Sequence, residues 1–158
     1  MKGENNREYN KENMAKALGS ALPTSFKQSV EICSFIKNRS VVAAKKILNN
    51  VAEHKSAIPF KRFNFDLSHK TKIGPGRYPE KASKEFIRLI ESAEANAQFK
   101  GLNTSKLIIS HISASKASKA WHYGRKTRRK MKRTNVEIIV GENSKTEDNK
   151  NNTKRDKK

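Results

Sequence analysis

Apolar positions recur at helical spacing in three stretches of this chain, and they crowd or alternate as in strands near both ends of the patterned region. The first helical stretch covers residues 30–37. Ser29 stands at its N-cap, Glu31 favours the positive end of the dipole, and Ile32, Cys33 and Ile36 fall on one face. Asn38 suits the left-handed position that ends it. Ser40 then caps a second helix, with Val41, Ala44, Ile47, Leu48 and Val51 inward and Lys45, Lys46 and Asn49 outward. Pro79 opens the third and longest helix at its first position, and Gly101 ends it. Phe86, Leu89, Ile90, Ala93 and Ala97 form its buried stripe, with Ile87 at the margin. Its alanines predict the close approach of a neighbouring element.

Residues 14–22 read as a short strand or an extended arm, closed by Pro23. Strands are predicted near 106–115 and 135–140, with a bulge where alternation breaks at Ser110 and His111. Residues 57–78 contain Pro59, Gly74, Pro75 and Gly76 and read as a long loop. Within that loop, Phe60, Phe63 and Phe65 interleave with Lys61 and Arg62. Both the plugging of the core edge and the stacking of bases remain open for these rings.

Charge changes the picture between the last two strands. Of the eighteen residues 116–133, nine are Lys or Arg, and no Asp or Glu lies between Glu94 and Glu137. Two strands around such a segment predict a basic hairpin, with Gly124 as the one residue that turns without steric cost. At ~3.3 Å per residue it reaches roughly 25 Å from its base. It has almost nothing apolar to bury, so a polyanion has to complete it, and RNA fits that need. The net charge of +20 is spread along the whole chain of 158 residues, which suits a protein surrounded by nucleic acid. No apolar run approaches the roughly 20 residues of a spanning helix, and the first residues lack the apolar core of a signal peptide. Residues 1–13 read as a mobile arm, 14–141 as a single RNA-binding domain with its hairpin at about 115–135, and 142–158 as a disordered polar tail.

The chemistry of enzymes is hard to find. There is no Walker sequence, no G-x-G-x-x-G, no C-x-x-C and no G-x-S-x-G. His54, His69, His111 and His122 lack metal-ligand spacing, and Cys33, the only thiol, reads as a small buried hydrophobe. Glu85, Glu91 and Glu94 read as a solvated face with ion pairs to Lys81, Lys84 or Arg88, not as acid–base groups. No catalytic residue, cofactor or metal is expected. Gly74-Pro75-Gly76-Arg77 precedes a helix start, where an RNA phosphate fits with Arg77 beside it.

Three motifs then combine: Ile58-Pro59-Phe60-Lys61-Arg62-Phe63-Asn64, Gly74-Pro75-Gly76-Arg77-Tyr78-Pro79-Glu80-Lys81-Ala82, and Ala93-Glu94-Ala95-Asn96-Ala97 with Lys100-Gly101-Leu102. With Ile109-Ser110-His111-Ile112 and the Arg-rich segment following in order, the chain resembles the archaeal and eukaryotic branch of the universal large-subunit ribosomal protein L-twenty-two, called L-seventeen in eukaryotes. The resemblance covers residues 15–140. It implies an α+β fold: three helices packed on a small three-stranded antiparallel sheet, with a long basic β-hairpin extension. It also implies a non-enzymatic constituent of the large subunit in cytoplasmic ribosomes. The implied partners are large-subunit ribosomal RNA, neighbouring large-subunit proteins and the nascent polypeptide, whose exit tunnel the hairpin helps to wall. The sequence departs from the family where the hairpin is about five residues shorter than usual. Ala117-Ser118-Lys119-Ala120-Trp121-His122-Tyr123 stands in place of an Arg-rich start.

On the residues themselves, Arg125, Arg128, Arg129 and Arg133 are expected to grip phosphates bidentately, while Lys116, Lys119, Lys126, Lys130 and Lys132 add point charge. Trp121, His122 and Tyr123 are placed to stack on unpaired bases. Within three residues of Trp121 only Ala120 and Tyr123 are apolar, which weighs against its packing on the protein's own sheet. Lys61, Arg62, Arg77 and Lys81 complete the expected RNA-binding set. Two other classes stay open: a free-standing RNA-binding chaperone that uses the same basic hairpin, and an RNA-modifying enzyme, for which no cofactor site or catalytic cluster is found.

Overall fold

The structure, a computed structural model, describes residues 12–142. Most of the arm expected over 1–13, and the tail beyond 142, lie outside the described residues. The element order is β1 (Met14–Leu22), α1 (Phe26–Ile36), α2 (Val41–Ala52), β2 (Ile58–Pro59), β3 (His69–Lys70), β4 (Gly74–Arg77), α3 (Glu80–Phe99), β5 (Leu107–Lys116) and β6 (Thr134–Glu142). This is an α+β fold with three helices and two small antiparallel sheets, ordered β1-β6-β5 and β2-β4-β3.

The larger sheet is built around β6, whose inward residues Val136, Ile138 and Val140 are fully buried. Ala15 and Ala17 of β1 pair across from Val140 and Ile138, and Ile109 and Ile112 of β5 flank the same two residues on the other side. Those rows share a core with Ile32 and Ile36 of α1, Val41, Ala44, Leu48 and Val51 of α2, and Phe86, Ile90, Ala93 and Ala97 of α3. The small residues of β1 and α3 let the two backbones come close, as the alanines predicted. Asn96 and Lys100 then donate to the carbonyls of Lys16 and Met14, both at 2.9 Å, so α3 also covers part of the edge of β1. Ser40 caps α2 through the Ala43 amide, Asn38 takes φ 61° after α1, and Gly101 takes φ 77° after α3. The register of β5 slips between Ile109 and His111, where the bulge was expected, and the Ser110 hydroxyl donates to the Ile139 carbonyl.

Four expectations need correction. Helix α1 begins at Phe26 and not near Val30, with Ser25 in the N-cap position. Ser29, the expected cap, is fully buried one turn inside and shares a hydrogen bond with the Thr24 hydroxyl. Residues 57–78 are not one loop, because Gly74–Arg77 forms the middle strand of the second sheet, between Ile58–Pro59 and His69–Lys70. Gly76 is needed there, since a Cβ would lie 3.1 Å from the Ile58 carbonyl oxygen. Lys45 is not a free outer-face cation, for it pairs with Glu94 of α3. Finally, β6 runs through Glu142, whose carboxylate accepts the Asn103 amide, so this residue, expected to begin the tail, belongs to the sheet.

Glu31 does more than favour a dipole. It is buried, and its carboxylate accepts the backbone N–H groups of Lys61, Arg62 and Phe63 at 3.1, 2.8 and 2.9 Å. This clamp holds the chain after β2 against α1 and presents Lys61 and Arg62 to solvent. Alanine at this position leaves three donors without their acceptor, each costing about 1–3 kcal/mol when it stays buried. We expect Glu31→Ala to destabilise the fold by about 2–4 kcal/mol in chemical denaturation. Hydrogen exchange at Arg62 and Phe63 should quicken together. Unchanged exchange at both amides would show that the clamp does not hold this segment.

Candidate nucleic-acid interface

β5 and β6 pair regularly as far as Lys116 opposite Thr134. Beyond that pair the segment 117–133 is held by scattered bonds. Ala117 N–H donates to the Arg133 carbonyl, Met131 N–H to Ala120, and His122 N–H to Arg129. A single bridge joins Trp121 to Lys130. Ser118 and Lys119 thus lie opposite Lys132 alone, a one-residue bulge. The tip is a short 3-10 turn over Gly124–Lys126. Gly124 takes φ 61° as predicted, but it is not the only turning residue: Arg128 takes φ 69°. A non-glycine residue there costs about 1–2 kcal/mol, so the turn is under strain.

Of the sixteen expected RNA-binding residues, only His122 and Arg133 are even half-buried. Trp121 is 59% exposed and does not pack on the sheet; the Lys130 ammonium stands over its ring at 4.6 Å from the centroid. Tyr123 is 86% exposed, and Arg125, Lys126 and Arg128, near it along the tip, are exposed as well.

Two hollows at the root of the arm bring many of the others together. One, of about 480 Å³, is lined by Arg77, Lys116, Lys119, Lys132 and Arg133, with Phe26, Lys27 and Asn64 completing its wall. The other, of about 640 Å³, gathers Lys81, His122, Arg129, Lys130, Lys132 and Arg133. Lys132 and Arg133 belong to both. Lys61 lies apart, in a smaller hollow with Lys37 and Arg39. Arg62 lines none of the three and rests over the Phe63 ring. Lys27, Lys37 and Arg39 line these hollows although they are outside the expected set. The misplaced start of α1 hid Lys27, which sits in the first turn.

The rings of the 58–65 segment divide between the two readings. Phe60 is buried and plugs the core edge, Phe63 is half-buried and meets Phe26 edge-on at 6.2 Å, and Phe65 is 70% exposed. The phosphate expected at the start of α3 does not fit. Gly74–Arg77 is strand, and Glu80 opens the helix already paired with Lys84 at 2.6 Å, which holds the Glu80 carboxyl below its usual range. Arg77 instead lines the hollow near α1. Burial pushes the Cys33 thiol up to about 12, so it stays protonated, as a packed hydrophobe would. Among the described residues no three His, Cys, Asp or Glu side chains form a metal-ligand group, and no helix is long and apolar enough to cross a membrane.

Residues 17–141 match the family described as ribosomal protein L22p/L17e. The chain belongs to that family. It is 43% identical over 139 residues to the large ribosomal subunit protein uL22 of Methanoculleus marisnigri, covering 83% of this chain and 91% of that protein. It is 41% identical to the uL22 of Archaeoglobus fulgidus, over 80% of this chain and 86% of the relative. With the uL22 of Thermofilum pendens the identity is 39%, over 85% and 93% of the two chains. The family is structural and non-enzymatic, which sets aside the RNA-modifying enzyme.

Beyond Lys116 and Thr134 the arm is held by few backbone bonds, and a two-stranded ribbon is marginal at best in water. In the free protein, backbone NMR order parameters over residues 121–132 should therefore fall clearly below those of α3. Equal values would make the arm a preformed rigid rod.

Proposed function

We propose that this chain is a constituent of the large ribosomal subunit in cytoplasmic ribosomes, held there by large-subunit ribosomal RNA and by neighbouring ribosomal proteins. Residues 14–141 act as one RNA-binding domain, with the segment near 115–135 as its arm. The observation that carries this reading is the set of cations on the arm and around its root, solvent-facing and without carboxylate partners among the described residues. Such a surface repels itself until phosphates neutralise it. Arg125, Arg128, Arg129 and Arg133 grip phosphates in pairs of hydrogen bonds, and Lys116, Lys119, Lys126, Lys130 and Lys132 add charge. These contacts position the protein and do not read sequence. Trp121, His122 and Tyr123 stack on unpaired bases. Lys61, Arg62, Arg77 and Lys81 add contacts from the globular part. In this position the arm supports subunit assembly and forms part of the wall along which the nascent polypeptide leaves.

Charge reversal on the arm tests this. Arg128→Glu with Arg129→Glu places two carboxylates among phosphates, where repulsion adds to the lost pairs. Neither residue is in the core, so circular dichroism should hardly change, while co-sedimentation with large subunits in a high-salt gradient should fall severalfold. Normal incorporation of the folded double variant would show that this part of the arm does not lie against RNA. A wild-type chain found only outside ribosomes would point to the free chaperone instead.

A further inference from the structure

The hollow between α1 and the root of the arm is lined by two unlike kinds of side chain. Its lining combines the cations Arg77, Lys116, Lys119, Lys132 and Arg133 with the Phe26 ring and the Asn64 amide. Among the described residues none of these cations pairs with a carboxylate. Two cations of the hollow meet rings or an amide instead: Lys116 stands 5.5 Å from the centre of Phe26, and Lys27 reaches the Phe63 ring at 5.8 Å and the Asn64 side-chain oxygen at 3.4 Å. Positive charge is thus fixed in place without being neutralised. At about 480 Å³ the hollow is within the ~300–1,000 Å³ of small-ligand sites, much larger than a phosphate needs.

We propose that this hollow seats one unstacked nucleotide of an RNA strand, and so fixes the root of the arm at a bulge or an extruded base. The proposal rests on the RNA-binding reading above and adds the class of RNA feature it selects. The phosphate lies on Lys116, Lys132 and Arg133, where charge is densest. The base lies against the Phe26 ring and offers its edge to Asn64, whose amide has both a donor and an acceptor. A paired base inside a duplex cannot enter, so the hollow favours looped over helical RNA.

The test compares two RNA hairpins of the same stem, one carrying a single-nucleotide bulge, in titrations of the full chain. The bulged RNA should bind at least about fivefold more tightly, the lower end of what stacking one base provides. The amides of Phe26, Lys27 and Asn64 should shift with it in NMR spectra. Phe26→Leu and Asn64→Ala should each weaken the bulged RNA more than the plain hairpin and so reduce that preference. Lys116→Gln should weaken both RNAs. Equal affinity for the two hairpins, or a preference that survives both wall variants, would overturn the seat and leave a surface that reads charge alone. Uridine monophosphate binding as tightly as the bulged RNA would also overturn it, in favour of a free-nucleotide pocket. Loss of the seat with the Arg128→Glu, Arg129→Glu variant still excluded from subunits would leave the ribosomal reading standing.

Discussion

Thr134 is fully buried one residue after Arg133, and the arm depends on that junction. The backbone of Thr134 is paired on both sides, with Leu22 of β1 and Lys116 of β5. Its hydroxyl donates to the Thr24 carbonyl at 3.1 Å, and the Thr24 hydroxyl meets that of Ser29 in α1 at 3.2 Å. A short polar thread therefore ties the first residue of β6 to the end of β1 and to the first helix. Buried hydroxyls of this kind have to be satisfied within the protein, and these are. On one side of the junction the chain is core; on the other it has almost no apolar side chain. Both hollows at the root are built on Lys132 and Arg133, so both inherit their position from Thr134.

The long periodic elements were legible in the sequence because many positions vote for each. α3 shows its full stripe and its ending glycine, and α2 shows its serine cap. β6 was recognisable from Val136, Ile138, Ile139 and Val140 around Glu137, and its partner's bulge from a break in alternation. The second sheet was not legible. Strands of two residues carry no period, and its middle strand contains Gly74, Pro75 and Gly76, residues that ordinarily argue against a strand. The start of α1 was misplaced because Ser25 and Ser29 are both acceptable caps, and only tertiary burial of Ser29 decides between them. That single error moved Lys27 into apparent coil.

The candidate interface was legible as charge and only partly as shape. An acid-free run of forty-two residues between Glu94 and Glu137 is visible without a structure. What the sequence could not show is that Arg77 and Lys27, far away along the chain, close a hollow with Lys116 and Arg133. That closure depends on Glu31, which fixes residues 61–63 through backbone N–H groups and so places Asn64 beside Lys27. Side chains that act on backbone leave no periodic trace in a sequence.

The carboxylates explain why so much charge is left over at one end. Glu94 takes Lys45, Glu137 takes Lys16, Glu80 takes Lys84 and Glu85 takes Arg88, while Glu31 is occupied by backbone N–H groups. These pairs are mostly exposed and individually worth little. Their effect on location is larger: they spend the acidic residues on the helices and on the β1 side of the sheet. The root and the arm receive none. At physiological salt, charges farther apart than ~8 Å are largely screened, so the repulsion that matters is local, among cations that line the same hollow. Folding alone leaves that repulsion in place, opposed by the paired backbone at Lys116 and Thr134 and by the few bonds and ring contacts beyond it. On the proposed reading, an RNA phosphate in the hollow would replace that repulsion with attraction, and the same charges would then favour both binding and the ordering of the arm.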